Sequence, residues 1–141
     1  MIEWNSSLET GLAEIDKDHK ELIDCLNEYT AAIRDTPDPA RIKKVFERLM
    51  DYTEYHFARE ERLMEACNYG GYGWHKAVHD KITNQLYIFQ TVLENDHSED
   101  ATNEILGFLN SWLIKHIMAE DMDYKRVIEN NYDDAKAAMN G

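Results

Sequence analysis

An apolar rhythm with a helical period of 3.6 residues runs along most of the chain and is broken at three places. The first break is Thr36-Pro37-Asp38-Pro39, which holds both prolines of the 141-residue sequence. Asp38 followed by Pro39 suits the N-cap and first position of a helix. The second is Asn68-Tyr69-Gly70-Gly71-Tyr72-Gly73, with half of the six glycines. The third is Glu94-Asn95-Asp96-His97-Ser98, where Ser98 can cap a helix that opens on Glu99-Asp100. Four segments remain, at about 16–35, 39–67, 73–94 and 99–119. The first carries Leu22, Ile23, Leu26 and Tyr29 on one stripe, and the second Phe46, Leu49, Thr53 and Phe57. The third carries Val78, Ile82, Leu86 and Phe89, and the fourth Ile105, Leu109, Trp112 and Leu113. No stretch alternates with period two, so no strand is expected. Four helices with short connections predict an all-α fold, an antiparallel up-down-up-down four-helix bundle. The first fifteen residues read as an N-terminal arm, with Trp4, Leu8 and Leu12 against the bundle. Tyr124, Val127 and Ile128 predict a short C-terminal helix. No linker or internal repeat is visible, so residues 1–141 are expected to form a single domain.

Composition narrows the function classes. Twenty-eight acidic residues against fifteen basic ones give a net charge of −13. Such a surface does not suit neutralising phosphates, which argues against a nucleic-acid partner. The apolar runs fall far short of the ~18 residues a membrane span needs. Met1-Ile2-Glu3-Trp4 shows no basic region followed by an apolar one, so no signal peptide is expected. Cys25 and Cys67 form no CxxC pair. That argues against a disulfide framework or a cysteine zinc site and makes a cytoplasmic location the expectation.

The histidines carry the chemistry. Of six, His19, His56, His75, His79 and His116 fall in helical segments, and His97 falls in a polar loop and is expected to face solvent. His56 and Glu60 are four apart on the second segment, as are His75 and His79 on the third. A four-residue step returns to within ~40° of the same helix face, so each pair can aim two ligands at one place. Apolar residues one turn away put these faces inward: Leu22 and Ile23 after His19, Thr53 before His56, Leu63 after Glu60, Ile82 after His79, Trp112 and Leu113 before His116. A lone histidine on an apolar stripe is most often a satisfied core residue. Five of them, at least one per helix, with acidic company, point instead to a shared metal, because buried polar groups without partners are expensive. Five imidazoles with carboxylate are too many for one structural zinc, and calcium and magnesium prefer oxygen ligands. Imidazole with carboxylate suits iron among other metals, and a bundle core with inward His and Glu is a place where di-iron sites are built.

The combined pattern resembles the hemerythrin family, and specifically its single-domain bacterial members, the bacteriohemerythrins. The resemblance runs through Trp4, Gly11, Asp16-Lys17-Asp18-His19, His56-Phe57-Ala58-Arg59-Glu60-Glu61, His75-Lys76-Ala77-Val78-His79-Asp80, Trp112-Leu113-Ile114-Lys115-His116-Ile117 and Asp121. One departure touches no ligand: members often have proline in the loop where this chain has Asn68-Tyr69-Gly70-Gly71. The resemblance implies two iron ions (Fe2+/Fe3+) joined by a bridging oxo or hydroxo group. His75, His79 and His116 would ligate one iron, His19 and His56 the other, with Glu60 and Asp121 bridging. His116 and Asp121 lie five apart, ~140° around a regular helix, so the fourth helix is expected to end, tighten or bulge between them.

Two irons offer about twelve coordination positions. Five imidazoles, two bridging carboxylates and one bridging oxygen leave one open, on the iron that has only His19 and His56. The resemblance implies that O2 binds there reversibly, each iron able to give one electron, for oxygen storage, delivery or transport to a downstream oxygen-using protein. Carboxylate-rich di-iron bundles favour higher oxidation states; a histidine-rich site should retain diferrous iron more easily. Ile23, Trp112, Leu113 and Ile117, with Met64, are expected to wall a dry O2 pocket that slows proton entry. Tyr124 reads equally as a hydrogen-bond donor near Asp121 or as a core tyrosine. A non-enzymatic carrier is thus the expectation; an O2 or redox sensor, or a di-iron enzyme acting on peroxide or nitric oxide, are the alternatives.

Overall fold

The structure is a computed structural model that describes residues 2–35, 37–116, 121, 133 and 137. A short 3₁₀ turn, Ser6–Leu8, precedes four helices: α1 (Ala13–Arg34), α2 (Pro39–Ala66), α3 (Tyr72–Asn95) and α4 (Glu99–Lys115). Two of the expected caps are in place. The Asp38 carboxylate accepts from the Ala40 amide at 3.1 Å with Pro39 in the first turn, and the Ser98 hydroxyl accepts from the Ala101 amide at 3.1 Å. α2 closes on Asn68 in the left-handed region, φ 53°. The amides of Tyr69 and Asn68 return to the carbonyls of Met64 and Glu65, a Schellman closure in which asparagine takes the glycine position. Tyr69 packs back on Leu63 and Met64 across Gly71, where a Cβ would meet its ring at 2.7 Å.

Each helix packs on two others: α1 and α3 each lie against α2 and α4. Pairings run in opposite senses along neighbours. Glu28, Asp18 and Glu14 meet Arg48, Tyr52 and Arg59 in turn, and Glu60 and Glu54 meet His75 and Tyr87. Phe89 meets Phe108, and His79 meets His116 further along. This is the antiparallel up-down-up-down order, and the described residues contain no strand.

Two boundaries differ from the sequence expectation. α1 starts at Ala13, not near residue 16, so the arm ends at Leu12. The reason lies in Asp16, whose carboxylate turns back to the amide and hydroxyl of Thr10 at 2.8 and 2.9 Å and folds the arm over the helix start, with Gly11 at φ +95° making the bend. The regular part of α4 stops at Lys115, short of residue 119. The arm lies on the bundle as expected. Asn27 exchanges hydrogen bonds with the Ile2 backbone at 3.2 and 3.0 Å, Lys20 sits over the Trp4 ring, and Leu8 and Leu12 are buried. Of the expected C-terminal helix, Asp133 and Ala137 are helical; Tyr124, Val127 and Ile128 lie outside the described residues.

Apolar side chains form two separate clusters. The larger contains Leu22, Tyr29, Phe46, Phe57, Leu86 and Leu113, among others; the smaller contains Leu12, Ile15, Leu63, Met64 and Cys67. Between them lies a polar layer. Deep in the larger cluster, the Tyr29 hydroxyl donates to the Thr102 carbonyl at 2.9 Å, tying α1 to α4, and burial pushes its phenol pKa up, so it remains a donor. Tyr29→Phe removes this tie while the Thr102 carbonyl keeps its place in the α4 ladder, and should destabilise the metal-free chain by about 0.5–1.5 kcal/mol, read by urea unfolding with an unchanged m value.

Candidate metal centre

The layer between the clusters is built by all four helices. α1 supplies His19, α2 His56 and Glu60, α3 His75 and His79, and His116 follows the last residue of α4; Asp121 completes it. All seven side chains are buried, whereas His97 lies exposed in the loop before α4. Single donor atoms of His19, His56, Glu60, His116 and Asp121 lie within 4.8 Å of one another. A second such group comprises Glu60, His75, His79, His116 and Asp121. Glu60, His116 and Asp121 belong to both, so the structure brings together every sequence-expected ligand as two overlapping groups.

The two carboxylates sit centrally. Asp121 lies 2.6 Å from His19 Nε2 through Oδ2 and 3.1 Å from both His75 and His116 Nε2 through Oδ1. Glu60 lies against His56 Nε2, 3.0 Å from His116 Nε2 through Oε1, and 3.3 Å from His75 Nε2 through Oε2. Each carboxylate therefore has one oxygen toward the His19/His56 side and one toward His75. His116 and Asp121 both take the i→i+5 hydrogen bonding of a π turn, which brings positions five apart toward one side. This is the local departure from a regular helix that their spacing demands.

Known proteins match this chain over most of its length. Residues 10–128 fit the model of the hemerythrin HHE cation binding domain. The chain belongs to the hemerythrin family. A bacteriohemerythrin of Pseudomonas aeruginosa is 34% identical over 121 residues, spanning 86% of this chain and 77% of that protein. A hemerythrin of Sipunculus nudus is 27% identical over 125 residues, covering 89% of this chain and 92% of that one. Among solved structures, a crystal structure of wild-type hemerythrin superposes with a TM-score of 0.77 at 28% identity, covering 91% of this chain and 98% of that one. Membership of the hemerythrin family implies a di-iron centre, and the His/Glu/Asp cluster is a group of side chains that could hold metal.

The donor set fits iron. The buried Nε2 of His79 has no hydrogen-bond partner among the described residues, with Glu60 Oε2 3.9 Å away. His19 and His56 face each other Nε2 to Nε2 at 3.1 Å, a contact in which one proton at most is shared and which a cation between lone pairs would relieve. Neither ligand group contains a cysteine, and burial pushes the Cys25 thiol up to about 11. Ile23, Trp112 and Leu113 lie in the larger apolar cluster and Met64 in the smaller one, on the two sides of the layer. Ile117 and Tyr124 lie outside the described residues.

Sequence reasoning passed over three neighbours of the ligands. Asp18, buried, accepts from His56 Nδ1 at 3.1 Å. Its signal was a helical stripe shared with Leu22, Cys25 and Tyr29. Glu61 Oε2 lies 3.6 Å from His79 Nδ1. Phe57, read only as core, stacks flat on the His79 ring, with centroids 3.8 Å apart and planes 6° from parallel.

The carboxylates control the histidines in the metal-free chain. Burial works against charging His19 and His75, but Asp121 and Glu60 outweigh it and raise both to about 9. Burial holds His79 down to about 3, with His116 and His75 adding to the effect against Glu60 and Asp121. Burial opposes ionisation of Glu60 and Asp121 as well, yet the surrounding imidazoles keep both carboxyls below the usual range. A raised histidine stabilises the fold fully below its unfolded pKa near 6.5 and loses that contribution as pH climbs through the folded value. The metal-free chain should therefore lose melting temperature between pH 6.5 and 9, a window set by His19 and His75. Metal needs neutral rings, so loading ferrous ion at pH 7 under argon should release about two protons per chain, from His19 and His75, to an indicator dye. Loading without proton release would mean that these rings do not take the metal.

Proposed function

We propose that His19, His56, Glu60, His75, His79, His116 and Asp121 hold two irons with a bridging oxo or hydroxo group, and that the pair binds O2 reversibly for storage, delivery or supply to a downstream oxygen-using protein. The observation that carries this reading is the uneven division of the imidazoles. The His116 ring centroid lies 5.0 Å from His79 and 5.5 Å from His75, against 5.9 Å from His56 and 6.2 Å from His19. His116 belongs to both ligand groups, and the nearness of its ring to the α3 pair supports a division of three imidazoles to one metal and two to the other. With fewer protein donors, the His19/His56 side is where an outside ligand would find room.

Two ferrous ions held by these residues would supply two electrons to O2, one from each. The chain's own residues keep that exchange reversible. Glu60 and Asp121, each with an oxygen toward either side, hold the two metals in one unit. Five neutral imidazoles against two carboxylates temper the stabilisation of ferric iron. Phe57 over His79 and Trp112 beside His116 screen those rings from water, which restrains proton entry.

The deciding measurement is a visible spectrum of iron-quantified, anaerobically reduced protein before air, in air and after argon purging. Two irons per chain and an air-induced charge-transfer band that fades under argon are expected. Prompt, irreversible conversion to a diferric spectrum would instead point to sensing or redox enzymology. Glu60→Ala and His79→Ala should each bring iron clearly below two per chain, while His97→Ala leaves it unchanged. Full iron retention by both variants would overturn the ligand assignment.

A further inference from the structure

The second-layer contacts of the two-imidazole side are unequal. His56 donates outward from Nδ1 to Asp18 Oδ2 at 3.1 Å, whereas Nδ1 of His19 is buried with no hydrogen-bond partner among the described residues. Asp18 is 1% exposed and sits between α1 and α2. Its other oxygen is held from the far side, accepting the Tyr52 hydroxyl at 3.0 Å, with Arg59 Nη1 at 3.4 Å. Arg59 in turn donates to the Glu14 carbonyl at 3.4 Å and lies over the Tyr55 ring. A buried carboxylate is expensive unless paired and hydrogen-bonded. This one is paired, and both of its oxygens are used.

We propose that Asp18 is the positioning residue of the His19/His56 side: by accepting the Nδ1 proton of His56 it fixes the tautomer that leaves Nε2 free for metal, orients the ring, and strengthens it as a donor. The inference rests on the di-iron reading above and deepens it. An imidazole with a carboxylate at its outer nitrogen is more basic at its inner one. The metal with fewer imidazoles would therefore gain, in His56, a stronger donor than the ring would be without Asp18. Tyr52 and Arg59 keep the Asp18 carboxylate from turning toward solvent, so the effect is built into the α1–α2 packing rather than into a mobile side chain. The family pattern of ligands does not include Asp18, because it touches the ring and not the metal.

The test uses Co2+, whose visible spectrum and chelator competition resolve two bound ions. Wild type, Asp18→Asn, Asp18→Ala and His79→Ala are titrated under argon, His79→Ala marking the ion on the α3 side by its loss. Both Asp18 variants should weaken the other ion about 10- to 100-fold and leave the α3-side ion unchanged. Asp18→Asn is nearly isosteric, and melting of the metal-free form by circular dichroism checks that the bundle is intact. Two ions with unaltered affinities in both variants would overturn the role of Asp18 alone. Equal weakening of both ions would mark Asp18 as a mere tie between helices and overturn it too. Wild-type protein that binds fewer than two ions would overturn the di-iron reading and this inference together.

Discussion

The structure depends on a layer of seven buried ionisable side chains held within a few ångströms of one another. All seven are buried, and charged groups taken out of water are tolerated only with partners. The layer supplies them in part: Asp121 and Glu60 each face several imidazoles, and His19 and His75 take up protons in response. Five rings against two carboxylates cannot all be satisfied by each other, and Nε2 of His79 finds no hydrogen-bond partner among the described residues. Protons and metal ions are alternative occupants of the same lone pairs. The need to bring these groups together fixes the register of the helices, because a one-residue slip of any helix would turn its ligands by about 100° into an apolar cluster or solvent.

The apolar clusters on either side make such a slip expensive. Ile15 and Leu22 flank His19 on α1, and Phe57 and Leu63 flank Glu60 on α2. α1 and α2 are thus pinned on both sides of the layer by close packing, and their ligands need not hold the bundle together. Phe57 serves both purposes, as a core side chain of α2 and as the flat surface on which the His79 ring rests. Preorganisation of this kind keeps the donor atoms converged before any ion arrives.

Much of this was legible from residues whose roles are set locally. Asp38-Pro39 and Ser98 announced α2 and α4 because a cap acts within one turn. The ligand pairs were visible because four-residue spacing on an apolar stripe is a property of one helix. What escaped depends on contacts between segments. Asp16 looked like the opening of α1, but its partner is Thr10 in the arm, and the helix begins earlier. In the sequence Asp18 is only one residue of the Asp16-Lys17-Asp18-His19 stretch, with no role of its own. Neighbours in sequence point about 100° apart, and Asp18 reaches His56 on another helix. No described helix is long and apolar enough to cross a bilayer.

Asp121 shows how a requirement of the site is written into the backbone. On a regular helix it would lie ~140° from His116, leaving either an unpaired carboxylate among apolar side chains or an exposed one. In the second case His19 and His75 would lose the neighbour that most raises their pKa, and the layer would hold five imidazoles against a single acid. A π turn removes the conflict by inserting the extra angle, and such turns are rare because their backbone geometry is poorer than that of an α-helix. The turn persists because the alternative is worse by the desolvation of a carboxylate and the loss of its imidazole partners. The unusual spacing of His116 and Asp121 and the irregular end of α4 are therefore one fact, and the side-chain chemistry of the layer is its cause.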